Sequence, residues 1–176
     1  KDGKNDIICL EPDWGDDVLR LLCYKNLGEG LVWDRIVLFE TGNAFGGDVF
    51  TLQDIEGDGY LTATIFVTSP MGVGLVRDSQ SGWSHVETIR TYCDSWPMFV
   101  DLDNDGAKDY IGSRHPYSGG RIRWHRGPDY NQFFTLEAGE TIYGLTCIDF
   151  DEDGDMDIAY RTGNTVGVFE NTRAPL

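Results

Sequence analysis

Three copies of one acidic loop at a near-constant interval constrain this chain more than any other feature. They are DIEGDGYLTATI from Asp54, DLDNDGAKDYI from Asp101 and DFDEDGDMDIAY from Asp149, with a truncated copy, KDGKNDII, at the start. The loop glycines Gly3, Gly59, Gly106 and Gly154 are separated by 56, 47 and 48 residues. A second landmark follows each glycine: LLCYKN at 21–26, VGLVRD at 73–78, IRWHRG at 122–127 and VGVFEN at 166–171. Two landmarks per period mark a repeat architecture, in which each unit is one supersecondary motif and neighbouring units bury one another.

Short apolar stretches flank each complete loop: FTLQ, MFV and LTCI before, and segments such as YIG and IAY after. They read as strands on either side of a tight acidic turn. Each period then runs strand, acidic loop, strand, turn, strand, turn, strand, with the last strand in RIVLFE, HVETIR or FFTLE. The expected fold is all-β: β-propeller blades of four antiparallel strands, with the DxDxDG loops between the first and second strands. The chain is read as a single repeat domain, 1–176, with blades at 1–42 (partial), 43–91, 92–140 and 141–176 (partial), an incomplete ring. Residues 16–25 (DDVLRLLCYK) could pass for a helix by propensity, but their equivalence to the other third-strand segments favours a strand. The 22 glycines fit many turns better than long helices.

The pattern D-x-D-x-D-G-x-x-D between two strands at this spacing resembles the FG-GAP or VCBS repeat of integrin-α-type propellers. Phe45-Gly46-Gly47 resembles the phenylalanine-glycine element of the first family's name, and the dipeptide is absent from the other units. The resemblance implies a calcium-binding propeller used in binding or adhesion. Propellers close into rings of roughly 4 to 8 blades, so it also implies completion by a longer parent chain or by other subunits.

Calcium takes six to eight oxygen ligands, and carboxylates at alternate positions of a short loop can wrap around it. In the Asp101 loop, positions one, three, five and nine are Asp101, Asp103, Asp105 and Asp109, with the carbonyl of Ala107 expected at position seven. The Asp149 loop repeats this with Asp149, Asp151, Asp153 and Asp157, plus the carbonyl of Asp155. The Asp54 loop is weaker: Asp54, Glu56, Asp58 and the carbonyl of Tyr60 are in place, but position nine is Thr62. The truncated copy retains only Asp2 and Asp6, at positions five and nine. An EF-hand is excluded because it needs a glutamate at position twelve, where this chain has Ile65, Gly112 and Tyr160, and flanking helices.

The formal charge of −16 disfavours nucleic acid and anionic membranes as partners, and 13 of the 30 acidic residues fall within the three loops. No apolar run approaches the roughly 20 residues of a transmembrane helix. One basic segment stands out, Arg114 to Arg126, in which strand alternation puts Arg121, Arg123 and His125 on one face. That face is either a ligand patch for an acidic sugar or protein, or a solvated strand face. Trp14, Trp33, Trp83, Trp96 and Tyr117 lie near strand ends, where aromatics either stack on sugars or pack between blades, and Trp124 reads as core. The four cysteines, Cys9, Cys23, Cys93 and Cys147, are either buried thiols or form one or two disulfides, and Cys9 and Cys23, on successive strands of one unit, could bridge.

No hydrolase, zincin or P-loop motif is present, and no catalytic residue is assigned. The expected function is an extracellular or cell-surface calcium-binding module for a protein or glycan partner, or for further copies of itself. The alternatives are the propeller portion of a carbohydrate-active enzyme of lyase or dehydratase type, and a structural subunit of an extracellular filament or surface assembly.

Overall fold

The computed structural model describes residues 4–13, 18–28, 32–42, 50–68, 71–91, 95–113 and 119–172. Gly3 and Asp2 of the truncated loop, Trp14, the Phe45-Gly46-Gly47 element, Cys93, His115 and Tyr117 lie outside these residues.

Among the described residues there is no helix, and the strands form four antiparallel sheets, each running in chain order. The first comprises β1 (Ile7–Asp13), β2 (Val18–Gly28) and β3 (Val32–Gly42). The second comprises β4 (Leu52–Gln53), β5 (Thr62–Thr68), β6 (Met71–Arg77) and β7 (Ser84–Ile89). The third contains β8 (Ser95–Val100), β9 (Asp109–Ser113), β10 (Arg121–His125) and β11 (Phe133–Glu137). The fourth contains β12 (Gly144–Ile148), β13 (Asp157–Arg161) and β14 (Val166–Phe169). Residues 18–25 of the segment with helical propensity lie in strand β2, where Leu19, Leu21 and Leu22 are each 1% exposed between two partner strands.

The sheets pack in series through three cores. Leu19 and Leu21 of β2 meet Ala63, Ile65 and Val76 of the second sheet. Val73, Leu75 and Ile89 of that sheet, with Ile55, meet Phe99, Tyr110 and Tyr130 of the third. Leu102, Ile111 and Ile122 then meet Ile142 and Ile158. All five residues of β9 are buried, so this strand is covered on both faces. Strand alternation explains how it serves both cores: Tyr110 points to the sheet before and Ile111 to the sheet after. Among the described residues the architecture is propeller-like, without a closed barrel.

Polar side chains tie the sheets together at the loop ends. Gln53 donates through Nε2 to the Phe99 carbonyl (3.2 Å), and Asn171 through Nδ2 to the Leu102 carbonyl (2.7 Å). Cys9, Cys23 and Cys147 are free thiols. Of the two states left open for Cys9 and Cys23, the structure shows thiols and no bridge, for a geometric reason. The register sets Cys9 opposite Leu22 and Cys23 opposite Ile8, which puts the two side chains on opposite faces of the sheet.

Candidate metal centre

Each complete loop is first an engine for satisfying its own backbone. The position-one aspartate turns inward as a cap: Asp54 accepts from the N–H groups of Gly57, Asp58 and Gly59 (2.7, 3.1 and 2.8 Å). Asp101 accepts from Asp105 and Gly106 (3.0 and 2.9 Å), and Asp149 from Asp153 and Gly154 (both 3.1 Å). The position-five carboxylates of Asp58, Asp105 and Asp153 each accept from the backbone of position seven: Tyr60, Ala107 and Asp155. The position-six glycines Gly59, Gly106 and Gly154 have φ of 88, 90 and 95°, left-handed values that a Cβ would strain.

With the backbone wound this way, carboxylates converge. One oxygen from each of Asp54, Glu56 and Asp58 lies within 4.8 Å of the others, and the same holds for Asp101, Asp103 and Asp109, and for Asp149, Asp151 and Asp157. Oxygens bound to one calcium at roughly 2.4 Å are separated by no more than about twice that radius, so a single ion could touch all three members of each trio. Asp105 and Asp153 stand beside their trios in hydrogen bonds to the loop.

Electrostatics separates the three loops. Arg77, at the end of β6, pairs with Glu56 (3.5 Å) and Asp58, the position-three and position-five acids. Arg126, just past β10, makes the same two contacts in the next sheet, to Asp103 (2.6 Å) and Asp105 (2.9 Å). The N–H of Ala107 and the Arg126 guanidinium hold the Asp105 carboxyl below its usual range. In the Asp149 loop no cation pairs with the acids among the described residues. Asp155 is 3% exposed, and neither of its carboxylate oxygens has a hydrogen-bond partner. Burial, then a hydrogen bond that its protonated form makes to Asp153, then repulsion from Asp153, Asp157 and Asp151, pushes its carboxyl up to about 6, and burial and Asp153 raise that of Asp151 as well.

Position nine has a role that the metal-ligand reading missed. Asp109 is fully buried and accepts from Leu102 N–H (3.0 Å) at the start of the loop and from Gly127 N–H (2.8 Å) after β10. Asp157 accepts in the same way from Phe150 (2.8 Å) and Asn171 (2.7 Å), and Asp6 from Asn26 (2.9 Å). The carboxylate is thus a clasp across three connected segments. Where Thr62 replaces it, a backbone bond from Asp78 N–H to the Leu61 carbonyl (2.9 Å) links the two chain segments instead. The arginines, too, stand at matching positions of VGLVRD and IRWHRG, a signal present in the sequence but meaningless until the register showed them reaching the loops.

The basic face of β10 is smaller than its alternation predicts. Arg121 is exposed beside Glu137 (3.3 Å), and Arg123 lies over the Phe133 ring (4.6 Å). His125 does not join them in solvent: it is 1% exposed, edge-on to Tyr110 and tilted against Phe133. Its Nδ1–H donates to the Tyr130 carbonyl (3.1 Å). Trp124 packs against the third core, stacked on Phe134, and Trp83 against the first, while Trp33 is 37% exposed.

Burial lowers the His125 pKa, with Arg123 adding to the effect. The folded state therefore holds the neutral ring, while the unfolded chain takes up a proton near the ordinary pKa of about 6.5. The native state is unpenalised above that pH and loses stability as pH falls from there through the folded pKa. The fall in melting temperature between pH 7.5 and 5.5 should consequently be shallower in His125→Asn than in the wild-type chain. Equal slopes would show that the ring is accessible to protons in the folded state.

Residues 101–160 match the family model described as an FG-GAP-like repeat. No curated protein and no solved structure matches the chain. The matched segment runs from the first aspartate of the Asp101 loop to Tyr160 in β13, so these two acidic loops and the strands between them are similar to a repeat of the FG-GAP type.

Proposed function

We propose that this chain is a calcium-binding propeller module whose metal is structural and whose exposed loops engage a protein or carbohydrate partner outside the cell. The observation that carries the reading is the Asp149 loop. Asp149, Asp151 and Asp157 converge there, and the ionised carboxylate of a buried Asp155 lies beside them with only other carboxylates as its charged neighbours. Burying an ionised carboxylate without a partner costs several kcal/mol, and a divalent cation is the ligand that would offset it. Asp149, Asp151 and Asp157 would hold the ion, and it would fix the connection between β12 and β13.

An extracellular location is part of the proposal, on the ground of calcium supply. Extracellular calcium modules bind as weakly as roughly 10⁻⁴ to 10⁻³ M and are still filled where calcium is abundant. An adhesive or recognition role accords with a repeat fold in which sheets supply rigidity and loops supply surface. Arg121, with Arg123 beside it, offers an acidic sugar or protein a basic patch in an otherwise acidic chain.

Thermal unfolding in excess calcium, in chelator, and with calcium restored tests the metal reading. A ligand that binds only the folded state at 100 times its Kd stabilises by about 2.7 kcal/mol. For a chain of this length that is a rise of roughly 5 to 10 °C. The rise should be reversible and should disappear in Asp151→Ala. An unchanged melting temperature at about 100 mM calcium, 100 times the weakest Kd expected, would overturn the proposal.

A further inference from the structure

We infer that the residue facing position nine on the third strand of each unit decides which loop takes a divalent cation. Arg77 and Arg126 act as resident cations of their loops, and Glu170 leaves the Asp149 loop to the metal. This rests on the calcium reading above and adds that the three loops are not equivalent sites.

The register makes the comparison a strict one. Thr62, at position nine, pairs directly with Arg77. Tyr110 pairs with His125, which sets Asp109 opposite Arg126 one step further on. Ile158 pairs with Phe169, which sets Asp157 opposite Glu170 in the same way. Three structurally identical positions thus carry arginine, arginine and glutamate.

In the first two cases the guanidinium occupies the carboxylates a metal would need. Arg77 bridges the acids at positions three and five of its loop, and Arg126 bridges the same two positions of the next. The side chain of Asp103 is 1% exposed in that pairing, so releasing it to a calcium ion would strand a guanidinium beside a dication. Like charges at that separation repel strongly in a partly buried site. The Asp149 loop differs in two independent respects. Its counterpart of the arginine is an additional acid, and its position seven, Tyr60 or Ala107 elsewhere, is Asp155, buried with both oxygens unpartnered. Six acids between 149 and 157, with Glu170 opposite, give this loop more negative charge than either of the others.

Calorimetric titration of the 176-residue chain with calcium chloride tests this, using wild type, Glu170→Arg, Arg77→Gln and Arg126→Gln, each checked for native circular dichroism. Wild type should bind one ion, and binding should be abolished by Asp151→Ala. Glu170→Arg should bind that ion at least about tenfold more weakly, because it places a guanidinium within reach of the loop. Arg126→Gln should gain a second ion. If loss of the Asp103 pairing unfolds that variant, Arg77→Gln carries the test, since Glu56 and Asp58 are half-exposed and tolerate losing their partner. Wild-type binding of equal affinity at all three loops, unmoved by the substitutions, would overturn the arginine rule and leave the calcium reading intact. No calcium uptake by any of the four proteins would overturn both.

Discussion

Asp109→Ala is expected to lower stability by roughly 3 to 4 kcal/mol, and to do so in chelator as much as in calcium. The carboxylate is fully buried and holds two backbone N–H groups, those of Leu102 and Gly127. Hydrogen bonds to a charged acceptor are worth about 1.5 to 3 kcal/mol each, and stranding a buried donor costs about 1 to 3. Burial already penalises the ionised form, and its pKa is raised for that reason, so the loss stops short of the simple sum. Asp109→Asn, which keeps one acceptor oxygen, should fall between. Urea denaturation in chelator gives the comparison directly. A destabilisation that appears only when calcium is present would mean that Asp109 is a metal ligand and not a clasp.

The second large effect is at a seam between sheets. Tyr110 is fully buried, edge-on to Phe99 at 5.5 Å and to His125 at 5.9 Å, within the core shared by β6, β7 and the third sheet. Truncating a buried aromatic to alanine costs about 3 to 5 kcal/mol through lost transfer energy and the cavity left behind. Because each sheet packs only on its neighbours in a repeat array, this loss should uncouple the first two sheets from the last two. Tyr110→Ala should unfold in two calorimetric transitions where the wild-type chain shows one. A single transition shifted by less than about 1 kcal/mol would mean that the sheets do not stabilise one another.

Much of this molecule is visible in its amino-acid order. The alternation in IRWHRG and its counterparts, and the loops with glycine at position six, announce strands and left-handed turns, since both depend on residues only a few positions apart. The convergence of Asp149, Asp151 and Asp157 was legible for the same reason. What was misread or left open falls where distance enters. His125 shares a strand face with Arg121 and Arg123, yet Phe133 and the turn at Tyr130 cover it, and Cys9 and Cys23 occupy one hairpin but opposite faces.

The repeat period, the strand order within each unit and the identity of the acidic loops were therefore determined by the sequence alone. Only the tertiary structure decided that Tyr110 and Ile111 serve different cores, that position nine clasps its own sheet, and that Arg77, Arg126 and Glu170 confront equivalent carboxylates. The first set follows from short-range backbone sterics and side-chain period. The second depends on the register between strands and on which sheet lies across the core, and both are set by the packing of segments tens of residues apart.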